Sequence, residues 1–319
     1  MSKATRHYWG VTIRVVITVG ILLLIFRNID LQGVLQVILR ANPGWLALAV
    51  VFQLLSTLLA GYRWYLVMHQ LDFGQSPLFY VKSYFKGTFF NQGLPTSIGG
   101  DAIRVLDVAG TGFRKRDAFT GVFIDRVLGL TGLLILNLLA NLLAPDVLPQ
   151  GLHSLLNLLI VSGILGFITL IFIHKLKWFE QWRLSRYFLR ISSALMKIMR
   201  GVAASSKQMG LGVTIHLLSM MNIFTIGHSV GLEYDLLIYI VIVPPAILLT
   251  LIPISLAGWG VREGALIGLF TLIGADKATV LSMSILYGII LIIASLPGLQ
   301  IYLAGKRHTP GNSNNLDTE

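Results

Sequence analysis

Several stretches of about 20 mostly apolar residues recur along this chain of 319 residues, and no other feature limits its fold as strongly. Because an α-helix rises about 1.5 Å per residue, a stretch of that length crosses the roughly 30 Å hydrocarbon core of a bilayer. Charged residues make up 12% of the sequence, and a soluble domain usually has about 25%. We therefore predict an all-α, polytopic helical membrane protein with about six to eight transmembrane helices and re-entrant or broken half-helices.

The charge balance is basic, with a formal net charge of +11, and the chain contains no cysteine. In a polytopic protein, the lysines and arginines of cytoplasmic loops account for such an excess, so we expect no nucleic-acid partner. The absence of cysteine excludes disulfides, cysteine-based zinc sites and a cysteine nucleophile.

The longest apolar stretches predict the transmembrane spans. We place them at residues 9–26, 44–67, 117–144, 152–173, 210–232, 235–256 and 278–303. The sixth span carries Pro244, Pro245 and Pro253, and we expect these prolines to break it. A membrane domain over residues 1–304 is followed by a polar tail, residues 305–319, that we predict to be disordered and cytoplasmic.

Four shorter segments are not predicted to be ordinary spans. Residues 31–39 are too short to cross and are predicted to form an interfacial helix. Residues 77–90 contain two lysines, which favours a re-entrant or protein-buried half-helix. Residues 174–207 carry eight basic residues against one acidic residue and predict an amphipathic helix on the membrane surface. Residues 263–273 are predicted to be a short half-span.

The distribution of basic residues predicts the orientation. Loops rich in lysine and arginine are cytoplasmic as a rule. The loop at residues 104–116, the segment 174–207 and the N-terminus are basic, and Lys306 and Arg307 follow the last predicted span. We therefore expect a multi-pass protein of the plasma (inner) membrane with both termini in the cytoplasm. Arg63, Trp64 and Tyr65, at the end of the second span, are expected to belong to an interfacial belt.

A break rich in glycine and proline precedes a charged stretch at residues 91–126, which read NQGLPTSIGGDAIRVLDVAGTGFRKRDAFTGVFIDR. Gly99 and Gly100 disfavour a continuous helix, and the exposed amides of a broken helix suit an anion. Asp101 and Arg104 lie three residues apart, so they share a helical face and can pair. The break is therefore a candidate anion site, and the alternative is a cytoplasmic turn with solvated charges.

Asp125 and Arg126 are charged residues inside a predicted span. They lie roughly 12 Å along the helix from Asp117. A charge near the bilayer centre costs about 2.5 to 3.5 kcal/mol on insertion scales, so such residues face a cavity or a partner. We predict a role in substrate binding, and the alternative is a structural salt bridge to Arg104 or Asp101.

A second break, PISLAGWGVREG, occupies residues 253–264. It supplies Arg262 and Glu263 next to the predicted half-span. Two glycine- and proline-interrupted apolar segments in the two halves of a chain point to a transporter's binding site. Guanidinium groups bind phosphate oxygens in a bidentate manner, so Arg104, Arg126 and Arg262 together could neutralise a phosphodiester or a pyrophosphate.

Three ordered motifs carry a resemblance to a known family. LPTSIGGDAIRV, then FIDRVLGL, then PISLAGWGVREGA resemble the lysylphosphatidylglycerol synthase transmembrane (flippase-like) family over residues 10 to 303. The resemblance implies an integral membrane domain that moves lipids across the bilayer, in some members aminoacylated phosphatidylglycerol. By motif match it implies substrate-binding roles for Gly99, Gly100, Asp101, Arg104, Asp125, Arg126, Arg262 and Glu263.

The sequence also departs from that family. Its full-length synthases carry a soluble aminoacyl-transfer domain after the membrane part, whereas a short polar tail follows here. The resemblance therefore implies a stand-alone membrane domain that does not itself transfer amino acids, with a lipid-modifying synthase as a partner.

The resulting hypothesis is a flippase-like transporter for an anionic phospholipid or a polyprenyl-phosphate-linked lipid. The alternatives are an integral membrane glycosyl- or phosphotransferase acting on a lipid carrier, or an accessory membrane subunit of a lipid synthase. An enzyme of that kind needs a general base or a metal cage, and the sequence has no DxxD or DxD pair. His216 and His228 lie about 120° apart on one span, which is poor geometry for a shared metal. We therefore expect no catalytic residue, metal or cofactor.

Overall fold

The computed structural model describes residues 3–27, 29–93, 99–175, 183–252, 255 and 258–307. In these residues the protein is all-α, with twelve α-helices, one 3-10 turn and no strand. The helices are α1 (Lys3–Arg27), α2 (Leu31–Arg40), α3 (Pro43–Gln70), α4 (Pro77–Gly93), α5 (Gly99–Ala109), α6 (Lys115–Leu143), α7 (Gln150–Phe172), α8 (Arg183–Ile198), α9 (Val202–Ser229), α10 (Leu236–Thr250), α11 (Val261–Thr271) and α12 (Lys277–Arg307), and the 3-10 turn (Ile173–Lys175) follows α7.

Five of the described helices are long and apolar enough to cross a bilayer: α3, α6, α7 with its 3-10 turn, α9 and α12. Helices α1 and α2 together form a sixth candidate, with a bend of 91° between them. The predicted span at 210–232 belongs to a longer helix, α9, which begins at Val202, within the end of the basic segment 174–207. The all-α polytopic architecture predicted from the apolar stretches is thus confirmed.

Side-chain caps set the boundaries of the two short connections near the N-terminus. The Asp30 carboxylate accepts a hydrogen bond from the Gln32 amide at 3.0 Å and starts α2. The Asn42 side chain accepts from the Gly44 amide at 2.9 Å, and Pro43 is the first residue of α3. Helix α2 is therefore a separate short helix, as predicted, and packs against α12.

Helix α4 is the predicted protein-buried half-helix. It packs against α3, α5 and α12, and Tyr80, Ser83 and Phe85 are buried. Two glycines allow the close contacts. A Cβ on Gly61 would lie 2.9 Å from the Val81 backbone, and a Cβ on Gly298 would overlap the Phe85 carbonyl. The face of α4 that carries Tyr80, Ser83 and Phe85 is therefore buried in protein, whereas Lys82 is exposed.

The basic segment after α7 is not the single surface helix that its composition predicted. Helix α8 ends at Ile198, and Gly201, with φ of +89°, turns the chain into α9. Ile191, Leu195 and Ile198 of α8 are fully buried against the spans rather than facing lipid. Burial against protein apolar groups satisfies the amphipathic pattern as well as a membrane surface does. The predicted positions 176–182 lie outside the described residues.

Helix α10 contains Pro244 and Pro245 but is not broken by them. Proline lacks the N–H that bonds to the carbonyl four residues earlier, so Ile240 and Val241 lose their helical donors. The buried Asn137 amide of α6 donates to both carbonyls, at 2.8 Å and 3.2 Å. The prediction of a break at these prolines is therefore wrong, because a neighbouring helix replaces the missing donors. Pro253 lies outside the described residues.

At the C-terminus, α12 continues to Arg307, and residues 308–319 of the predicted tail lie outside the described part of the chain. Helices α3, α4, α5 and α6 share an apolar cluster that contains Trp64, Met68, Tyr80 and Val122. This cluster packs beside the charged residues of α5 and α6.

Candidate functional site

Asp125 is the centre of a buried ion network between three helices. One carboxylate oxygen accepts from Arg63 of α3 at 2.8 Å, and the other accepts from Arg104 of α5 at 2.6 Å. Arg63 also donates to the Asp125 backbone carbonyl at 2.9 Å. The side chains of all three residues are at most 4% exposed. Asp125 therefore holds α3, α5 and α6 together by charge-assisted bonds at a site shielded from solvent.

Asp101 extends this network towards the protein surface. Its carboxylate accepts from Arg104 at 3.1 Å and from the Arg126 Nε at 2.8 Å. The Arg126 side chain is 44% exposed, whereas that of Arg104 is 3% exposed. The five residues Arg63, Asp125, Arg104, Asp101 and Arg126 form one chain, which we call the ion network. It bears one net positive charge and reaches the surface at Arg126.

Arg104 lies between two aromatic rings. Its guanidinium carbon is 4.1 Å from the Trp64 ring centroid and 4.6 Å from that of Tyr84. Cation–π contacts of this kind stabilise a desolvated guanidinium. Among the described residues, Arg63 Nη1 and Arg104 Nε are buried without a hydrogen-bond acceptor. Two aspartates therefore do not satisfy every donor of the three arginines.

The predicted glycines position α5 against α4. A Cβ on Gly100 would overlap the carbonyl of Gly87, so only glycine permits this approach. The Gly100 amide donates to the Asn91 side chain at 2.7 Å, which gives the first turn of α5 an acceptor. Gly99 is the first residue of α5. The connection between the two helices, residues 94–98 with Pro95, lies outside the described residues.

The observed ion pairs agree with the structural salt-bridge alternative for Asp125 and Arg126. They also correct the expectation that Arg63 belongs to an interfacial belt. Asp125 pairs with Arg104, and Arg126 pairs with Asp101, as the structural salt-bridge alternative proposed. Arg63 was missed, because its place at the end of an apolar stretch resembles an interfacial belt. It is buried on Asp125 instead. The sequence did contain a signal for this pair, since Arg63 lies in one predicted span and Asp125 in another, and charged residues in spans need partners.

The residues of the second break form a separate buried group. Arg262 donates to Glu263 at 2.6 Å, and Glu263 also accepts from the Gly260 amide at 2.6 Å. The Ser284 hydroxyl of α12 donates to the same carboxylate at 3.0 Å. Gly260 has a φ of +84°, a backbone conformation that residues other than glycine rarely adopt. These hydrogen bonds hold the first turn of α11 against α12.

The two groups do not meet. Arg262 contacts α12 at Ser284, whereas α4, which packs on Arg104, contacts α12 at Gly298. These positions are 14 residues apart, or ~21 Å along the helix. No hydrogen bond or ion pair between described residues joins the ion network to Arg262. The joint action of Arg104, Arg126 and Arg262 on one phosphate group stays a prediction, because the bonds between described residues place Arg262 in a different group from the two other arginines.

Lys86, His216 and His228 have local partners. Lys86 pairs with Asp107 of α5 at 2.6 Å, and Lys82 is exposed beside it on α4. His216 donates through Nε2 to the Gly129 carbonyl at 2.9 Å, and His228 bonds within its own helix. The described residues contain no group of three or more metal-ligating side chains.

The chain matches the model of a known protein family. The family model described as "Lysylphosphatidylglycerol synthase TM region" matches residues 11–298. The match includes all the helices that carry the ion network and the Arg262 group. No curated protein matches the chain.

Proposed function

Because the chain belongs to the lysylphosphatidylglycerol synthase TM region family, we propose that it is a flippase-like membrane protein. It moves an anionic phospholipid or a polyprenyl-phosphate-linked lipid across the bilayer. The phosphate of the headgroup binds at the Arg126 end of the ion network, while the hydrocarbon chains stay in lipid.

The ion network is the observation that carries this proposal. Three arginines and two aspartates leave one positive charge in a region of low dielectric, where unbalanced charge is costly. A phosphate at Arg126 would offset that charge. The Arg126 side chain is 44% exposed and donates through Nε to Asp101, so the phosphate is proposed to bind at the most exposed arginine of the ion network. Arginine is suited to this task because its planar fork matches phosphate oxygens.

The remaining predicted residues have positioning roles in this proposal. Asp101 orients Arg126, and Asp125 holds Arg104 and Arg63 in place behind it. Gly99 and Gly100 allow α5 to approach α4 at the same position. Arg262 and Glu263 form an ion pair at the start of α11. In this proposal the pair positions that half-helix and does not bind the headgroup.

The cellular setting follows from the same proposal. We place the protein in the plasma (inner) membrane as a multi-pass protein with cytoplasmic termini. A flippase acts on lipids that an enzyme has made, so a lipid-modifying synthase is the proposed partner.

Reconstitution into liposomes tests the proposal. Purified protein should change the sidedness of phosphatidylglycerol without changing its mass. Arg126→Gln should abolish that movement, and Arg126→Lys should weaken it strongly, because lysine keeps the charge and loses the fork. Arg40→Gln is the matched control, since Arg40 is an exposed arginine at the end of α2, outside the ion network.

Two results would contradict the proposal. One is full movement of lipid by a well-folded Arg126→Gln protein, which removes Arg126 from headgroup binding. The other is accumulation of a chemically modified lipid in the purified system, which would favour the membrane transferase alternative.

A further inference from the structure

The second half of the chain repeats the helices of the first half in the same order. Helices α3 and α9 have 28 residues each, and α1 and α7 have 25 and 23. A pair of shorter helices follows, α4–α5 or α10–α11, and then a long helix, α6 with 29 residues or α12 with 31. The packing repeats as well, since α4 packs on α12 and α10 packs on α6. Residues 3–143 and 150–307 therefore contain the same succession of elements.

The turns of the two halves also correspond. Asp72 and Gly231, which are 159 positions apart, follow α3 and α9 and have φ of +66° and +86°. Gly112 and Gly274, which are 162 positions apart, precede α6 and α12 and have φ of +98° and +84°. Positive φ is uncommon outside glycine, and Asp72 adopts it where the second half has a glycine. The two halves therefore share backbone geometry as well as helix lengths, which indicates a duplicated unit of six helices.

The two glycine- and proline-rich breaks share one sequence motif. Residues 95–104 read PTSIGGDAIR, and residues 253–262 read PISLAGWGVR. Proline, serine, glycine and arginine recur at the first, third, sixth and tenth positions, and the fourth and ninth positions are aliphatic in both. Arg104 and Arg262 are therefore the same residue of the two copies. At the seventh position, Asp101 of the first copy corresponds to Trp259 of the second.

The motif arginine contacts the same position of the following long helix in both copies. By the offset of 162 between the turns before α6 and α12, Asp125 corresponds to Tyr287. Arg104 donates to Asp125 at 2.6 Å. The guanidinium carbon of Arg262 lies 5.2 Å from the ring centroid of Tyr287. The sequence motif and the tertiary contacts therefore give the same correspondence.

The seventh motif residue also makes an equivalent contact in both copies. Asp101 accepts from Arg126, whose counterpart at the offset of 162 is Gly288. A Cβ added to Gly288 would lie 2.5 Å from the ring of Trp259. The chemistry differs, however. The exposed ion pair of the first copy is replaced by an aromatic ring over a buried glycine. The same ring covers Arg262, whose guanidinium carbon is 4.7 Å from its centroid.

Each pair of shorter helices is a hairpin. Lys86 of α4 pairs with Asp107 of α5, and the rings of Tyr239 of α10 and Phe270 of α11 are 5.4 Å apart. These contacts join residues before each break to residues well after it, so the chain turns back on itself. Helices α5 and α11 have 11 residues each, or ~16 Å, about half of the roughly 30 Å hydrocarbon core. Both hairpins are therefore re-entrant.

The number of spans in each copy determines their relative orientation. The candidate spans of the first copy are the bent pair α1–α2, α3 and α6, and those of the second are α7, α9 and α12. Since a re-entrant hairpin returns to its own face, three crossings separate the start of one copy from the start of the next. The second copy is therefore inverted, and its hairpin enters from the opposite face. Interrupted helices of inverted repeats form the binding sites of several transporter folds.

We propose that the chain is an inverted duplication of one six-helix unit, and that the α10–α11 hairpin forms the entrance for the phosphate-bearing headgroup on the face opposite Arg126. Trp259 closes this entrance. The identity of the ligand rests on the proposed function, whereas the duplication rests on the helices, turns and motifs alone. A path that is open at the Arg126 face and covered at the other face admits the headgroup from one side at a time.

Cysteines at two equivalent positions test the inversion. Lys115 and Lys277 are the first residues of α6 and α12, and both are exposed. The chain has no other cysteine. In the variants Lys115→Cys and Lys277→Cys, an impermeant thiol reagent should label only one of the two in intact cells and both after permeabilisation. Labelling of both in intact cells, or of both only after permeabilisation, would refute the inversion.

A cysteine at Gly288 tests the cover. Gly288→Cys is combined with Trp259→Ala, which removes the ring, and with Trp259→Phe, the matched control that keeps a smaller ring. The probe is the anionic thiol reagent sulfonatoethyl methanethiosulfonate, added on the side on which Lys277→Cys reacts. The alanine variant should be labelled and the phenylalanine variant should not, and thermal unfolding shows that both are folded. Equal labelling of the two folded variants, or labelling of neither, would overturn the role of Trp259.

Movement of phosphatidylglycerol by the wild-type protein in liposomes separates this inference from the proposed function. If the cysteines react as expected and no lipid moves, the proposed function fails, while the inverted duplication and the cover stand. If lipid moves and Gly288→Cys stays unlabelled in the folded Trp259→Ala protein, the proposed function stands and the second entrance is refuted.

Discussion

Neutralising Asp125 is the sharpest test of how the ion network is built. In the wild-type protein its two oxygens accept from Arg63 at 2.8 Å and from Arg104 at 2.6 Å, and none of the three side chains is more than 4% exposed. Asp125→Asn keeps the size of the side chain but removes its charge. The network then carries two net positive charges instead of one, with two guanidinium groups close together in a region of low dielectric.

The expected loss of stability follows from the remaining partners. Removing one member of a buried ion pair costs about 3 to 5 kcal/mol, because the other charge is left buried. Arg63 keeps the Asp125 backbone carbonyl and Arg104 keeps Asp101, so a loss within that range is expected. Arg126→Gln removes a partly exposed pair, for which about 1 kcal/mol or less is expected.

The assay is thermal unfolding of the purified variants in one mild detergent. Asp125→Asn should unfold at a clearly lower temperature than Arg126→Gln. Combining Asp125→Asn with Arg104→Gln restores a net charge of one and leaves the Asp101–Arg126 pair intact, so the double variant should be more stable than the sum of the two changes. Wild-type stability of Asp125→Asn, or strict additivity in the double variant, would refute the description of this network as a coupled unit.

Three further predictions concern other parts of the fold. Asn137→Leu should lower the free energy of unfolding by about 1 to 3 kcal/mol, because the Ile240 and Val241 carbonyls lose their donor. Thermal unfolding measures this change, and an unchanged midpoint would contradict the role of Asn137. Gly100→Ala should prevent close packing of α5 on α4 and reduce the yield of folded protein, whereas Gly166→Ala should not, and equal yields would contradict the close approach. A cysteine at Ser206, at the start of α9, should react with an impermeant reagent only after the cells are permeabilised, whereas one at Gln150 should react in intact cells, and the reverse pattern would invert the orientation.

The sequence was sufficient to predict the class of fold. Apolar stretches of spanning length and the low fraction of charge led to an all-α polytopic protein, because an apolar helix satisfies its backbone hydrogen bonds within its own segment when no water is present. The separate short helix α2 and the packing of α4 against other helices were also predicted, since length and lysine content restrict where a helix can lie. Local glycine and proline patterns likewise located the start of α5 and the turn before α11.

Partners between distant segments depended on the tertiary structure. Arg63 was assigned to an interfacial belt, yet α3 packs against α6 in a way that directs its guanidinium onto Asp125, 62 positions later. Pro244 and Pro245 predicted a broken helix, yet Asn137 of another helix supplies the missing donors. The local sequence does not show which buried group will supply a hydrogen bond, because the partner depends on how whole helices pack.

The same limit applies to the charged residues as a set. The sequence by itself determined that Asp101, Asp125, Arg126 and Arg262 are unusual, because charges in apolar segments need partners or water. Only the tertiary structure decided that the first three belong to one network and that Arg262 bonds instead to Glu263 and to Ser284 of α12. Composition and spacing restrict each helix separately, whereas a site is made by side chains from several helices, and their relative positions are set by packing.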